Sequence, residues 1–243
     1  MMQLTASVQV NFDFEDEQDA GRKLSTATAV SPIIAALTAN SPLRDGVSSG
    51  EKSFRYRVWR DVDPARCGLL RFMFEPGFRY DDYVEWALRA PLLFVRRGGG
   101  YVDPGGRTFA DLLRDGFQGE PATVLDYTDL LSTMFPEIRL KRVIEVRGSD
   151  AVDAPLTFAV AALWLGILYD TQALADARSL VRTDFDTLVK LQADVARDAL
   201  DASLGGTKVR TLAQDLVRIA SDGLRRRAER ADDDAGRLLD MLA

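Results

Sequence analysis

Lys141, Glu145 and Arg147 stand four and two residues apart in the stretch L-K-R-V-I-E-V-R-G-S-D, Leu140 to Asp150. In an extended strand successive side chains point to opposite faces, so Lys141, Val143, Glu145 and Arg147 share one face and Leu140, Arg142, Ile144 and Val146 the other. Two cations around one carboxylate, within about 20 Å of strand, suit a polyanion and its metal. The carboxylate would hold Mg2+, and Lys and Arg would neutralise phosphate oxygens. A self-compensating surface ladder has the same composition. A second polar row lies in T-A-S-V-Q-V-N-F-D-F, Thr5 to Phe14. Thr5, Ser7, Gln9, Asn11 and Asp13 fall on one face of that strand, with Ala6, Val8, Val10, Phe12 and Phe14 on the other. Faces that look only at water usually carry Lys, Glu and Thr, so a row of hydroxyls, amides and one carboxylate suggests a binding face. An ordinary half-exposed antiparallel strand alternates in the same way. If the two strands lie in one sheet, the amide oxygen of Gln9 complements the carboxylate of Glu145 around a hard cation.

The rest of the composition narrows the chemistry. The chain of 243 residues has no histidine and one cysteine, Cys67. Ser-His and Cys-His catalysis, a His/Cys zinc site and an intramolecular disulfide are therefore excluded. A net charge of −6 argues against a general nucleic-acid partner, although a local arginine cluster can still hold an anion. The N-terminus has no charged segment followed by an apolar one, so no secretory leader is expected. The longest apolar run, Ala154 to Tyr169, is roughly 16 residues against the roughly 20 that span a bilayer. It reads as a buried core helix, with no membrane partner and a cytoplasmic location.

Several elements must position these residues. Glu15 to Ala39 is helical in composition, and Ser31-Pro32 predicts a break into two helices, the second capped by Ser31. A Gly/Ser/Asp-rich loop follows, Asn40 to Lys52. The alternation in S-F-R-Y-R-V-W predicts a strand, with Phe54, Tyr56 and Val58 on one face and Arg55, Arg57 and Trp59 on the other. Tyr80 to Arg89 reads as a short helix. Pro91 to Arg97 reads as a strand turning through Gly98-Gly99-Gly100 into Tyr101-Val102; without a following helix and Lys, the glycines are a hairpin tip rather than a phosphate loop. Helices are expected at Thr108 to Gly116 and Tyr127 to Phe135. Beyond Pro155 the chain is nearly all helix, with Val209, Leu212, Ala213, Leu216, Ile219, Ala220 and Leu224 on one face and Arg225-Arg226-Arg227 at a solvated helix end. The expected fold class is α+β, with a sheet region over residues 1–150 carrying the ligand site and a helical region over 151–243 packed on it.

Six separated blocks, in order, resemble glutamate-cysteine ligases of the plant and bacterial type: M-M-Q-L-T-A-S-V-Q-V-N-F-D-F, A-N-S-P-L-R-D-G, S-F-R-Y-R-V-W-R-D-V-D-P-A-R-C-G, D-Y-V-E-W-A-L, L-S-T-M-F-P-E-I-R-L-K-R-V-I-E-V-R-G-S-D and L-W-L-G-I-L-Y-D. The resemblance implies a glutamine-synthetase-like fold, in which a curved antiparallel sheet is the floor of the site and helices back it. It also implies the reaction: ATP phosphorylates the γ-carboxylate of glutamate, and the amine of cysteine displaces phosphate. Carried over by position, Gln9 and Glu145 would be metal ligands for Mg2+. Thr5 and Asn11 would hydrogen-bond glutamate, and Arg55 would clamp a carboxylate or the transferring phosphoryl group. Lys141 and Arg147 would face the nucleotide phosphates, with Arg147 and Arg55 the catalytic cations. Trp59 and Tyr83 would wall the pocket.

The chain departs from the family in two respects. The M-M pair lies mid-chain in the family and is residues 1 and 2 here, so the resemblance is to a C-terminal half whose usual acidic strands lie upstream. Leu93, in A-P-L-L-F, stands where the family tends to have an aromatic residue, which leaves the acceptor amine open. Three readings follow. The first is an ATP-dependent ligase that works with a complementary N-terminal half or as a homo-oligomer. The second is a non-catalytic amino-acid-binding or partner subunit. The third is an acyl transferase that needs no ATP.

Overall fold

The computed structural model describes residues 5–231 and 234–242. The Met1-Met2 pair of the first block lies outside the described residues. The chain opens with β1 (Ser7–Phe12) and α1 (Glu17–Leu37), then a tight hairpin of β2 (Leu43–Arg44) and β3 (Val47–Ser48). Next come α2 (Phe54–Asp61), β4 (Cys67–Gly68), α3 (Arg71–Phe74) and α4 (Tyr80–Arg89). The hairpin β5 (Val95–Arg97) and β6 (Gly100–Val102) leads to α5 (Phe109–Asp115), α6 (Val124–Ser132), β7 (Phe135–Pro136), β8 (Ile138–Leu140) and β9 (Ile144–Asp150). After residue 150 the chain is helical, in α7 (Ala154–Leu168), α8 (Thr171–Leu180), α9 (Phe185–Asp198) and, past a small hairpin of β10 (Ser203–Leu204) and β11 (Thr207–Lys208), α10 (Val209–Ala231). The arrangement is α+β with small antiparallel sheets and no closed barrel among the described residues.

The sheet that matters has the order β1-β9-β8, antiparallel throughout. Its apolar face, Phe12, Ile138, Ile144 and Val146, belongs to the main core and packs against α1. Between β1 and β9 the pairing steps from Val8 opposite Ser149 to Val10 opposite Val146, so Arg147 and Gly148 together oppose the single residue Gln9. That is a β-bulge, with one extra residue on the central strand.

Three expectations about elements are corrected. α1 is one helix, not two, with Pro32 inside it. The missing proline N–H leaves the Thr28 carbonyl without its helical donor, and the Ser31 hydroxyl donates to that carbonyl at 3.4 Å. Every residue from Thr26 to Ala36 is buried, so packing on all sides holds the segment straight through the proline. The stretch S-F-R-Y-R-V-W is helix α2, not a strand. Ser53 caps it, its hydroxyl accepting from the Tyr56 N–H at 3.1 Å. α6 also begins earlier than expected, at a capping box in which Thr123 and Asp126 satisfy each other's backbone N–H.

Ala154–Leu168 is a core helix, as its composition predicts, and the seven apolar positions named on α10 are all buried. α7 and α10 cross at glycines. A Cβ on Gly223 would collide with the Gly166 carbonyl, and one on Gly166 with the Ala220 carbonyl. The basic triplet of α10 is not simply solvated. Arg226 reaches Asp170 at 2.7 Å, with Arg230 on the other oxygen at 2.5 Å, and Arg227 lies over the Tyr169 ring. A second, smaller cluster of Ala87, Leu92, Val95, Phe109, Leu112, Leu130 and Met134 joins α4, α5, α6 and the β5-β6 hairpin. No single described helix is long and apolar enough to cross a membrane.

Candidate functional site

The outward face of the three-stranded sheet gathers most of the expected residues. Register places Asn11, Glu145 and Arg139 side by side across β1, β9 and β8. The Arg147 guanidinium donates from Nη1 to Glu145 Oε2 and to Gln9 Oε1, both at 3.0 Å. Arg139 Nη1 and Lys141 Nζ each lie 3.6 Å from the Glu145 carboxylate. Three cations thus converge on one carboxylate. Burial opposes ionisation of Glu145, but Arg147, Lys141 and Arg139 outweigh it and hold its carboxyl below its ordinary value. Lys141 is not on the strand as expected. It sits in the turn between β8 and β9, where its N–H donates to the Val143 carbonyl, and it remains exposed.

The donor set tests the expected Mg2+ directly. Gln9 Oε1 and Glu145 Oε2 both accept from Arg147, and no group of three or more acidic, His or Cys side chains able to hold a metal occurs among the described residues. A divalent cation wants about six oxygen ligands and would enter a site already rich in positive charge. These residues, by themselves, fit an anion rather than Mg2+.

Arg55 reaches the sheet through its backbone. From α2 it donates Nη2 to the Arg147 carbonyl at 2.7 Å and Nη1 to the Gly148 carbonyl at 3.1 Å, with Asp150 at 3.8 Å. Arg55 thereby pins the bulge that carries Arg147. Its Nε is buried and without a partner among the described residues, and Arg55, Trp59, Phe135 and Arg147 line a cavity of about 20 Å³, room for roughly one water. Thr5 belongs to this end of the face: the Trp59 indole N–H donates to Thr5 Oγ1 at 3.3 Å, and the Arg147 guanidinium lies over the Trp59 and Phe135 rings. Beside the cations at the other end is a cleft of about 750 Å³, lined by Phe14, Tyr80, Tyr83, Tyr127, Arg139 and Lys141. Burial pushes the Tyr83 phenol up to about 12.

Sequence reasoning missed a group that supports all this. Glu137 is buried; it accepts from Tyr56 Oη at 2.9 Å and from Gln192 Nε2 at 2.6 Å, and burial pushes its carboxyl up. A Cβ on Gly148 would stand 2.7 Å from Glu137 Oε1, so the glycine of the bulge is where the carboxyl seats. No local signal marks Glu137, because its partners come from α2 and α9. Arg139 was missed too, although it lies two residues before Lys141 in the same block.

Comparison with known sequences decides the relationship. The model of glutamate-cysteine ligase family 2 matches residues 1–241. The chain belongs to that family. Glutamate–cysteine ligase A, chloroplastic, of Oryza sativa subsp. indica is 37% identical over 232 residues, 93% of this chain and 47% of that protein. The chloroplastic glutamate–cysteine ligase of Medicago truncatula is 40% identical over 233 residues, covering 93% of this chain and 46% of the relative. That of Arabidopsis thaliana is 37% identical over 232 residues, 93% and 44%. The chain spans just under half the length of these relatives. The cytoplasmic expectation is corrected here, because the family relatives are named as chloroplastic enzymes. A leader judged missing at Met1 carries no weight in a sequence that matches only part of its relatives.

Proposed function

We propose that the polar sheet face is the phosphate- and glutamate-facing part of an ATP-dependent carboxylate-amine ligase site, on a glutamine-synthetase-like framework. The observation that carries this reading is the convergence of Arg139, Lys141 and Arg147 on the lone carboxylate of Glu145. A ligase of this class transfers the γ-phosphoryl group of ATP to the γ-carboxylate of glutamate. An amine such as that of cysteine then attacks the acyl carbon and expels phosphate. Both steps spread negative charge over oxygens, so fixed cations aimed at them are the catalytic resource. Arg147 and Lys141, with Arg139, would take the nucleotide phosphates, and the tyrosine-lined cleft beside them has room for the nucleoside. The unpaired Nε of Arg55 would meet a carboxylate oxygen near Trp59, while Thr5 and Asn11 offer hydrogen bonds to the amino acid. Mg2+ would need most of its oxygen ligands from the nucleotide and from a complementary chain or a second copy.

Calorimetric titration of ATP tests the reading. Arg147→Met is expected to weaken ATP binding at least tenfold, about 1.4 kcal/mol or more. Glu145→Gln separates two roles for the carboxylate: stronger binding of metal-free ATP marks it as a balance for the cations, and loss of Mg-ATP binding marks it as a metal ligand. No ATP binding to the intact chain, with or without Mg2+, would overturn the proposal. Binding without γ-glutamyl product would favour a non-catalytic binding subunit.

A further inference from the structure

A groove of about 400 Å³ lies between the first half of α1, the loop from Glu75 to Phe78 and α8. It shares no lining residue with the sheet cavity or the tyrosine-lined cleft. Its floor is apolar: Phe78 and Leu174 are buried, with Gly21 of α1 beside the Phe78 side chain. At one end sits Arg178. Its guanidinium donates from Nε to Ser25 Oγ at 3.2 Å, from Nη1 to the Val181 carbonyl at 3.0 Å and from Nη2 to the Phe74 carbonyl at 3.4 Å, over the Phe74 ring.

Arg178 differs from the chain's other inward-facing arginines. The five that are buried outright, Arg55, Arg66, Arg97, Arg139 and Arg147, each have a carboxylate within 4 Å. Arg178 is half-buried and has none among the described residues; burial alone pulls its pKa down, with no negative charge to offset it. A guanidinium has five N–H groups, and three are accounted for. Two donors and a full positive charge are left at the end of an apolar groove. Glu75, at the rim, is paired with Arg71 at 3.3 Å, and Arg22, the other cation of the lining, with Asp19 at 3.2 Å, so the charge of Arg178 is the one without a carboxylate in the groove.

We infer that this groove binds a small organic anion with an apolar body, a monocarboxylate whose oxygens meet Arg178 and whose hydrocarbon lies on Phe78 and Leu174. The two free N–H groups match the two oxygens of one carboxylate, and the bond is charge-assisted in a partly desolvated place. A purely apolar ligand would leave the cation uncompensated, and a small inorganic anion would leave the floor bare. The inference does not rest on the ligase reading.

The test is a calorimetric titration of the full chain with octanoate and, separately, with octanol. Octanoate is expected to bind at least tenfold more tightly than octanol, and Arg178→Met to abolish that difference while leaving octanol unchanged. Ala175→Trp, at an exposed lining position that touches none of the bonds of Arg178, is expected to block both ligands and serves if Arg178→Met does not fold. Failure of octanoate to bind, equal binding of octanol, or undiminished octanoate binding to Ala175→Trp would overturn the inference.

Discussion

At the scale of the residue, Glu137 shows how a buried carboxyl can govern the place of a neighbouring cation. It receives Tyr56 and Gln192 and sits against Gly148, directly beside the bulge that aims Arg147. Glu137→Ala would leave a phenol and an amide buried without an acceptor, and is expected to cost about 2–4 kcal/mol in urea denaturation. Glu137→Gln should recover much of that loss. Whether the residues of the site could be read beforehand depended on where their partners lie. Gln9, Asn11, Glu145 and Arg147 were legible because alternation along two strands assigns a face. Glu137 was not, since its burial depends on α2 and α9, both distant in sequence. Arg55 was placed on the wrong element and still reached the site, from a helix rather than a strand.

At the scale of the element, short amphipathic stretches carry too little signal to separate the two periods. Phe54, Tyr56 and Val58 alternate with arginines as a strand would, yet eight residues also make two turns of helix, and only the Ser53 cap told against a strand. α10 was legible because its apolar stripe, Val209 to Leu224, repeats over about four turns. Its crossing with α7 invites a sharp test. Gly223→Ala would push a methyl group into the Gly166 carbonyl, and is expected to lower stability by about 1–3 kcal/mol, measured by urea denaturation. Asp170, where α8 begins, gives a pH test. Burial would raise its carboxyl, but the hydrogen bonds from Arg226, the Ala173 N–H and Arg230 prevail and bring it down to about 2. A carboxyl whose pKa falls on folding stabilises the fold above its unfolded value and loses that contribution as pH drops through the folded one. Stability should therefore decline from about pH 4 toward pH 2, and Asp170→Asn should flatten that decline while lowering stability at neutral pH.

At the scale of the molecule, one large core draws on β1, β8 and β9 together with α1, α7, α8, α9 and α10. The smaller cluster is tied to it through Trp86, which packs against both. A shared core of this kind predicts that tryptophan fluorescence and far-UV circular dichroism report one coincident thermal transition, although the chain is longer than most two-state domains. Separate midpoints would show that the cluster around α4, α5 and α6 unfolds on its own. The α+β class was legible from the change of character near residue 150. The three-strand order was not, because pairing β1 with β9 joins segments more than a hundred residues apart.

The bulge at Arg147 and Gly148 also sets the phase of β9. Before the extra residue, Glu145 and Arg147 are in step with the polar row of β1. After it, Asp150 stands opposite Ser7 and so returns to the face of that row, where it is buried and accepts from the Asn40 N–H at 2.8 Å and from the hydroxyls of Ser41 at 2.7 Å and Ser53 at 2.8 Å. Strict alternation along β9 with no bulge would put Asp150 on the face of Ile144 and Val146, since a one-residue slip sends every later side chain to the opposite face. The strand would keep its charges and lose the anchor that ties α1 and α2 to its end. One surplus residue is what keeps the charges at both ends of the strand on a single side of the sheet.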